Sequence, residues 1–132
     1  MKVMEKNLKC LLVDDDPDDQ ELFRYALNKL NMPIDLTIAD DGVYAIEKLS
    51  EPGFLPDVIF MDLNMPRLNG LECITELKKI ERLNTVPTYI YSTAHEYQND
   101  IDIKAMGIKA YLEKPSNVME LVPVLLNIFK EI

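Results

Sequence analysis

Polar side chains that could act together in chemistry follow four of the short apolar runs in this sequence. They are Asp14 with Asp15, then Asp62, Ser92 and Lys114. A carboxylate at the end of a buried strand loses solvation energy unless a metal ion or a reacting group uses it. Carboxylates that share one pocket repel one another, and a hard cation or a cationic side chain relieves that repulsion. If these positions converge, they predict a magnesium site with Lys114 beside it.

Strands are predicted to carry these positions. The apolar run at residues 58–61, between Pro56 and Pro66, is typical of a central strand of a parallel sheet that is buried on both faces. Similar runs predict strands at 9–13, 87–92 and 108–113, and the alternating run at 34–39 predicts a strand nearer the sheet edge. The carboxyl ends of parallel strands are where ligands gather in such sheets.

Helices are predicted between and after the strands. Apolar residues at helical spacing indicate helices at about 17–30, 44–49, 71–80 and 118–129, with a weaker, polar helix from about Tyr97 to Met106. Strict alternation of strand and helix predicts an α/β domain with a doubly wound, five-stranded parallel sheet flanked by five helices, a flavodoxin-like (βα)5 fold. We expect residues 1–132 to form one domain, with no effector domain.

Charge and composition limit the classes of partner. Fourteen basic and twenty-three acidic residues give a net charge of -9, which argues against nucleic acid as a direct partner. No apolar run approaches membrane-spanning length and the first residues are charged, so a cytoplasmic protein without membrane contact is expected. Cys10 and Cys73 fall in apolar patterns, which favours buried reduced thiols over the alternative of a disulfide.

The order of these motifs resembles one known family. Val13-Asp14-Asp15, Met61-Asp62 with Met65-Pro66 and Gly70, Ser92, and Tyr111 with Lys114-Pro115 are similar to the receiver domain of two-component response regulators, here of the stand-alone, single-domain type. The resemblance covers nearly the entire chain. It implies that Asp62 accepts a phosphoryl group from the phosphohistidine of a sensor histidine kinase or phosphotransfer protein. Such a protein is not an enzyme in the usual sense, because it catalyses only its own phosphorylation and dephosphorylation.

The resemblance also implies how the metal is held. Asp15 would be a direct Mg²⁺ ligand, and Asp14 would act mostly through metal-bound water. Asp62 itself and the backbone carbonyl of Asn64 would complete the protein ligands. A bound divalent ion would neutralise charge on the transferring phosphoryl oxygens.

The remaining roles concern the phosphoryl group and the switch. The resemblance implies that Lys114 pairs with Asp62 or with the phosphoryl oxygens, and that Ser92 donates a hydrogen bond to the phosphoryl group. Tyr111 would be the rotamer switch that works with Ser92. A cis peptide bond before Pro115 is a further expectation that comes from the family alone.

Two assignments stay open on the sequence. If the first strand ran one residue further, Asp15 and Asp16 would be the metal pair, although Pro17 favours Asp16 as the N-cap of the first helix. Thr93 lies beside Ser92 and could be mistaken for the hydroxyl residue. Counting from the flanking motifs favours Ser92.

Three other functions compete with the one that the resemblance implies. Asp14-Asp15-Asp16 reproduces the Asp-x-Asp of magnesium-dependent aspartyl phosphohydrolases, but Asp18 stands where those enzymes carry Thr or Val. A calcium-binding loop fails because Asp19 replaces the required Gly. A receiver that binds partners without phosphorylation is the third possibility. For a working receiver, we expect phosphorylation to change the surface from Tyr97 to Phe129, where a kinase, a phosphotransfer protein or a second copy forming a homodimer can bind.

Overall fold

A five-stranded parallel sheet forms the centre of the fold. The computed structural model describes residues 7–93 and 102–132. The strands are β1 (Leu8–Val13), β2 (Ile34–Ala39), β3 (Val58–Met61), β4 (Thr88–Ser92) and β5 (Ala110–Glu113). Their order in the sheet is β2-β1-β3-β4-β5, with every neighbouring pair parallel. The predicted doubly wound α/β fold is therefore confirmed, with β3 at the centre and β2 at an edge.

Helices flank the sheet. They are α1 (Pro17–Asn28), α2 (Gly42–Leu49), α3 (Gly70–Leu77) and α4 (Val118–Lys130), and a short 3₁₀-helix that was not predicted covers Glu81–Leu83. Half of the predicted helix from Tyr97 to Met106 lies outside the described residues, and in its described half residues 103–106 form turns. No helix in the described ranges has the length and apolar character needed to cross a bilayer.

Each α-helix begins with a capping side chain. Asp16, Asp41, Asn69 and Asn117 accept hydrogen bonds from backbone N–H groups in the first turns of α1 to α4, respectively. Such caps satisfy donors that have no partner within the helix. Because every helix follows a strand of the parallel sheet, α1, α2 and α3 all start close to the carboxyl edge that holds the candidate site.

The core consists of two layers, one on each face of the sheet. One layer packs α2 and α3 against β1, β3 and β4, and the other packs α1 and α4 against the opposite face. Phe60 of β3 lies at the centre of the second layer, with its ring 5.1 Å from that of Phe23 and 5.5 Å from that of Tyr89. Cys73 belongs to the first layer and Cys10 to the second, and both are buried free thiols, as predicted.

Candidate functional site

The ends of β1 and β3 bring carboxylates together. The two strands are neighbours, with Val13 paired to Met61, so Asp14 and Asp62 leave the sheet side by side. The backbone N–H of Asp62 donates to the carbonyl of Val13 at 2.9 Å, which fixes this junction. Asp15 joins them, and carboxylate oxygens of Asp14, Asp15 and Asp62 all lie within 4.8 Å of one another. Asp14 and Asp62 are buried, whereas Asp15 is exposed.

Lys114 enters the same cluster from the end of β5. Its backbone N–H donates to the carbonyl of Ser92 at 3.1 Å, which continues the pairing of β4 and β5 by one residue. Its Nζ lies 2.8 Å from Asp14 Oδ2, 2.7 Å from Asp19 Oδ2 and 3.4 Å from Asp62 Oδ2. Only 6% of the Lys114 side chain is exposed. One ammonium group therefore balances part of the charge of three carboxylates.

Burial dominates the electrostatics of Asp14. Desolvation raises the pKa of Asp14 to about 6, although the nearby Lys114 and the backbone N–H of Asp16 act in the opposite direction. Burial alone would lower the pKa of Lys114, but its contacts with Asp14 and Asp19 raise that pKa above its ordinary value. The Lys114 ammonium thus stays charged, while the charged form of Asp14 is held at an energetic cost.

The acidic cluster fits a divalent cation. Asp14 Oδ2 is buried, and the Lys114 ammonium lies 2.8 Å from it. Converging carboxylate oxygens are ligands that hard cations prefer, and a cation would offset the negative charge that one ammonium group leaves unbalanced. Asp15 adds an exposed carboxylate on the solvent side of the cluster, where a metal ion could enter and keep part of its water.

Asp16 and Thr93 stand apart from this cluster. β1 ends at Val13, and the Asp16 carboxylate accepts a hydrogen bond from the backbone N–H of Asp18 at 2.9 Å as the N-cap of α1. The three oxygens that converge belong to Asp14, Asp15 and Asp62, without Asp16. β4 ends at the buried Ser92, and Thr93 beyond it is exposed. Asp14 and Asp15 thus lie in the cluster while Asp16 caps α1, and β4 ends at Ser92.

The loop after β3 places Asn64 at the rim of the site. Asn64 is exposed two residues beyond Asp62, and the loop closes where the backbone N–H of Gly70 donates to the carbonyl of Leu63 at 3.0 Å. A Cβ atom on Gly70 would lie 2.1 Å from the carbonyl oxygen of Asp62, so only glycine fits there. Gly70 thereby allows α3 to start directly behind the backbone of Asp62.

Ser92 and Tyr111 lie towards the same layer of the core. Tyr111 packs against the layer formed by α2 and α3 and is paired in register with Ile90, two residues before Ser92. Because side chains alternate along a strand, Ile90 and Ser92 are on one face of β4. Ser92 is buried and Tyr111 is partly buried. No cis peptide bond occurs in the described residues, so the expectation for Pro115 was wrong and its bond keeps the favoured trans form.

Two residues at the site were not identified from the sequence. In the sequence, Asp19 served to exclude a calcium-binding loop, yet it contacts Lys114. Gln20 donates through Nε2 to the carbonyl of Asp14 at 2.6 Å and to Asp40 Oδ1 at 2.9 Å. The feature of the sequence that could have identified Asp19 is its position in the first turn of α1, because that turn starts at the carboxyl edge of the sheet.

Comparison with known proteins identifies relatives along most of the chain. Residues 10–126 match the family model described as the response regulator receiver domain. Response regulator Rcp1 of Synechocystis sp. is 29% identical over 116 residues, which cover 84% of this chain and 79% of Rcp1. A solved structure of a response regulator also named Rcp1, in its Mn²⁺-bound form, has a TM-score of 0.79 with 28% identity and covers 92% of this chain and 91% of that chain.

Other solved structures have similar folds. The phosphorylated cyanobacterial phytochrome response regulator RcpA has a TM-score of 0.82 with 26% identity, covering 93% of this chain and 91% of that chain. The receiver domain of the sensor histidine kinase PA1611 from Pseudomonas aeruginosa PAO1 has a TM-score of 0.75 with 25% identity, covering 92% of this chain and 97% of that chain. That structure has a magnesium ion coordinated in its active site cleft.

Proposed function

This chain belongs to the response regulator receiver family of two-component signalling, and on that premise we propose that Asp62 accepts a phosphoryl group from a phosphohistidine. The donor would be a sensor histidine kinase or a phosphotransfer protein. The observation that carries the proposal is the placement of Asp62 beside Asp14, Asp15 and Lys114 at one edge of the sheet. An acidic helix cap in isolation would not bring a buried lysine to three carboxylates.

Asp62 would act as the nucleophile. Its carboxylate oxygen forms a bond to phosphorus as the bond from phosphorus to the histidine nitrogen breaks, and that bond's electron pair returns to the imidazole. The product is an aspartyl phosphate. Asp62 is 5% exposed, so the donor must bring its phosphoryl group into the opening at the carboxyl edge. The hydrogen bond from the backbone N–H of Asp62 to the carbonyl of Val13 would hold the nucleophile in place during transfer.

The metal assignment is part of the same proposal. Asp14, Asp15, Asp62 and the backbone carbonyl of Asn64 would hold a divalent cation, for which we propose Mg²⁺. When bound, the cation would supply charge neutralisation on the transferring oxygens and help to align them with the nucleophile. The convergence of the Asp14, Asp15 and Asp62 oxygens, with the Asp15 carboxylate exposed, supports this ligand set.

Other residues would receive the added charge and pass on the signal. Lys114, with its Nζ 3.4 Å from Asp62 Oδ2, would move to the phosphoryl oxygens. Ser92 would donate a hydrogen bond to the same group, and Tyr111 would change rotamer with it. Their placement towards one face of the sheet supports this pairing. The outcome would be an altered surface that includes β5 and α4, where a partner protein or a second copy of the chain would bind.

Acetyl phosphate tests the acceptor assignment without a partner kinase. The protein is incubated with acetyl phosphate and Mg²⁺, and its intact mass should rise by one phosphoryl group. Asp62→Asn should abolish the gain, because the amide is not a nucleophile of this kind. Asp57→Asn is the matched control. Asp57 directly precedes β3, at the amino end of the strand that Asp62 follows. A gain that persists in Asp62→Asn would refute the assignment.

A further inference from the structure

Lys114 is held by a carboxylate that the proposed transfer does not use. Its Nζ donates a hydrogen bond to Asp19 Oδ2 at 2.7 Å, compared with 3.4 Å to Asp62 Oδ2. An ammonium group has three donors, and here the shorter of these two hydrogen bonds leads away from the candidate acceptor. The Lys114 ammonium, which would contact the phosphoryl group, is therefore already paired with Asp19 in this structure.

The setting of Asp19 suits a breakable contact. Asp19 lies in the first turn of α1, where the positive end of the helix dipole favours a carboxylate. Its side chain is 34% exposed, whereas that of Lys114 is 6% exposed. The ion pair is therefore at the rim of the site, where water can replace Lys114 as the partner of Asp19. Loss of the contact costs less than it would for two fully buried charges.

We propose that Asp19 is a positioning residue that holds the Lys114 ammonium towards α1 and competes for it with the phosphoryl group on Asp62. This inference rests on the proposed phosphoacceptor function. A phosphoryl group brings a charge of about −1.5 to −2 and three acceptor oxygens, so it outcompetes a single carboxylate. Phosphorylation then releases Asp19 at the start of α1, which packs beside α4. The first turn of α1 becomes part of the response.

Asp18 provides a control for general charge effects. It neighbours Asp19 in the first turn of α1 and is exposed. Among the described residues, the ion pairs of Lys114 are with Asp14, Asp19 and Asp62. Asp18→Asn and Asp19→Asn each remove one negative charge from the same helix turn. Any difference between them therefore reports the contact with Lys114. Asp19→Glu keeps the charge on a longer side chain and serves as the conservative variant.

The test measures binding of beryllofluoride, an anion that mimics the phosphoryl group, by calorimetry in excess Mg²⁺. Asp19→Asn should bind it about threefold to fivefold more tightly than Asp18→Asn, the range that a partly exposed ion pair supports. Asp19→Glu should stay near the wild type. In chelator without the anion, Asp19→Asn should favour unfolding about threefold more than Asp18→Asn, because Lys114 loses a partner.

Several results would overturn the role of Asp19. Equal affinities of Asp19→Asn and Asp18→Asn would show a general charge effect. Weaker binding by Asp19→Asn would show that Asp19 prepares Lys114 for the anion instead of competing for it. Tight binding by Asp19→Glu would show that the charge is irrelevant. A wild-type protein that does not bind beryllofluoride would instead refute the phosphoacceptor proposal on which the inference depends.

Discussion

Neutralising Asp14 should stabilise the metal-free protein. Asp14 is fully buried, and desolvation raises its pKa from 3.8 to about 6. Each pKa unit corresponds to about 1.4 kcal/mol, so the charged carboxylate costs the native state about 3 kcal/mol near neutral pH. That shift already includes the attraction of Lys114. Asp14→Asn removes the charge and keeps an oxygen that can accept from the backbone N–H of Asp16. We expect the free energy of unfolding to rise by about 2 to 3 kcal/mol.

The pH dependence of this effect has a defined sign. Because the pKa of Asp14 is higher in the folded state, the native protein binds more protons than the unfolded chain between about pH 4 and pH 6. The contribution of Asp14 to wild-type stability is therefore lost as the pH rises through this window. The advantage of Asp14→Asn should be full above about pH 6 and should fade towards about pH 4.

Urea unfolding followed by circular dichroism in chelator measures both effects. The wild type and Asp14→Asn are compared near neutral pH and again at about pH 5, where the difference should be smaller. Asp15→Asn is the control, because Asp15 belongs to the same cluster but is exposed, and it should change stability by less than about 0.5 kcal/mol. A loss of stability in Asp14→Asn near neutral pH, or a gain independent of pH, would refute the account of Asp14.

Two further predictions concern the scaffold. The guanidinium of Arg82 donates hydrogen bonds to the carbonyls of Leu49, Glu51 and Phe54. Arg82→Ala should therefore lower the free energy of unfolding by about 2 kcal/mol. Arg24 is exposed, and Arg24→Ala should change it by less than about 0.5 kcal/mol. Gly70→Ala should lower it by about 2 to 3 kcal/mol, because the new Cβ would lie 2.1 Å from the Asp62 carbonyl oxygen, and Gly53→Ala, in open space, should be neutral or slightly stabilising. Both pairs are measured by the same urea unfolding.

A different result would contradict each of these two predictions. Equal effects of Arg82→Ala and Arg24→Ala on the free energy of unfolding would show that the three hydrogen bonds from Arg82 do not stabilise the loop between α2 and β3. If Gly70→Ala were as stable as Gly53→Ala, the start of α3 could shift away from β3 without cost. The close approach of α3 to the backbone of Asp62 would then not be needed for folding.

The carboxyl ends of the strands could be predicted from the sequence because each apolar run stops abruptly at a polar residue or a turn. All five strands end where predicted, at Val13, Ala39, Met61, Ser92 and Glu113. Their amino ends were less certain, since β5 begins at Ala110, two residues after the apolar run starts. The residues that follow these strand ends, Asp14, Asp62 and Lys114, lie together because parallel strands bring their carboxyl ends to one edge of the sheet.

Contacts made across elements could not be predicted in the same way. The pairing of Lys114 with Asp19 joins residues 95 positions apart, and it depends on the angle at which α1 leaves β1. Arg82 likewise reaches carbonyls from 28 to 33 residues away. Helical periodicity predicts which face of a helix is buried, but a polar side chain at its rim has several partners within reach. Such pairings follow from packing geometry, which a sequence pattern does not specify.

Chemical trapping of the acyl phosphate can show directly which residue accepts the phosphoryl group. After reaction with acetyl phosphate and Mg²⁺, borohydride reduces an aspartyl phosphate to homoserine, and peptide mass mapping locates the altered residue. We expect homoserine at position 62, with none at the neighbouring Asp14 or Asp15, and no product in Asp62→Asn. Homoserine at Asp14 or Asp15 in the wild type, with Asp62 unchanged, would contradict the claim that Asp62 is the phosphoacceptor.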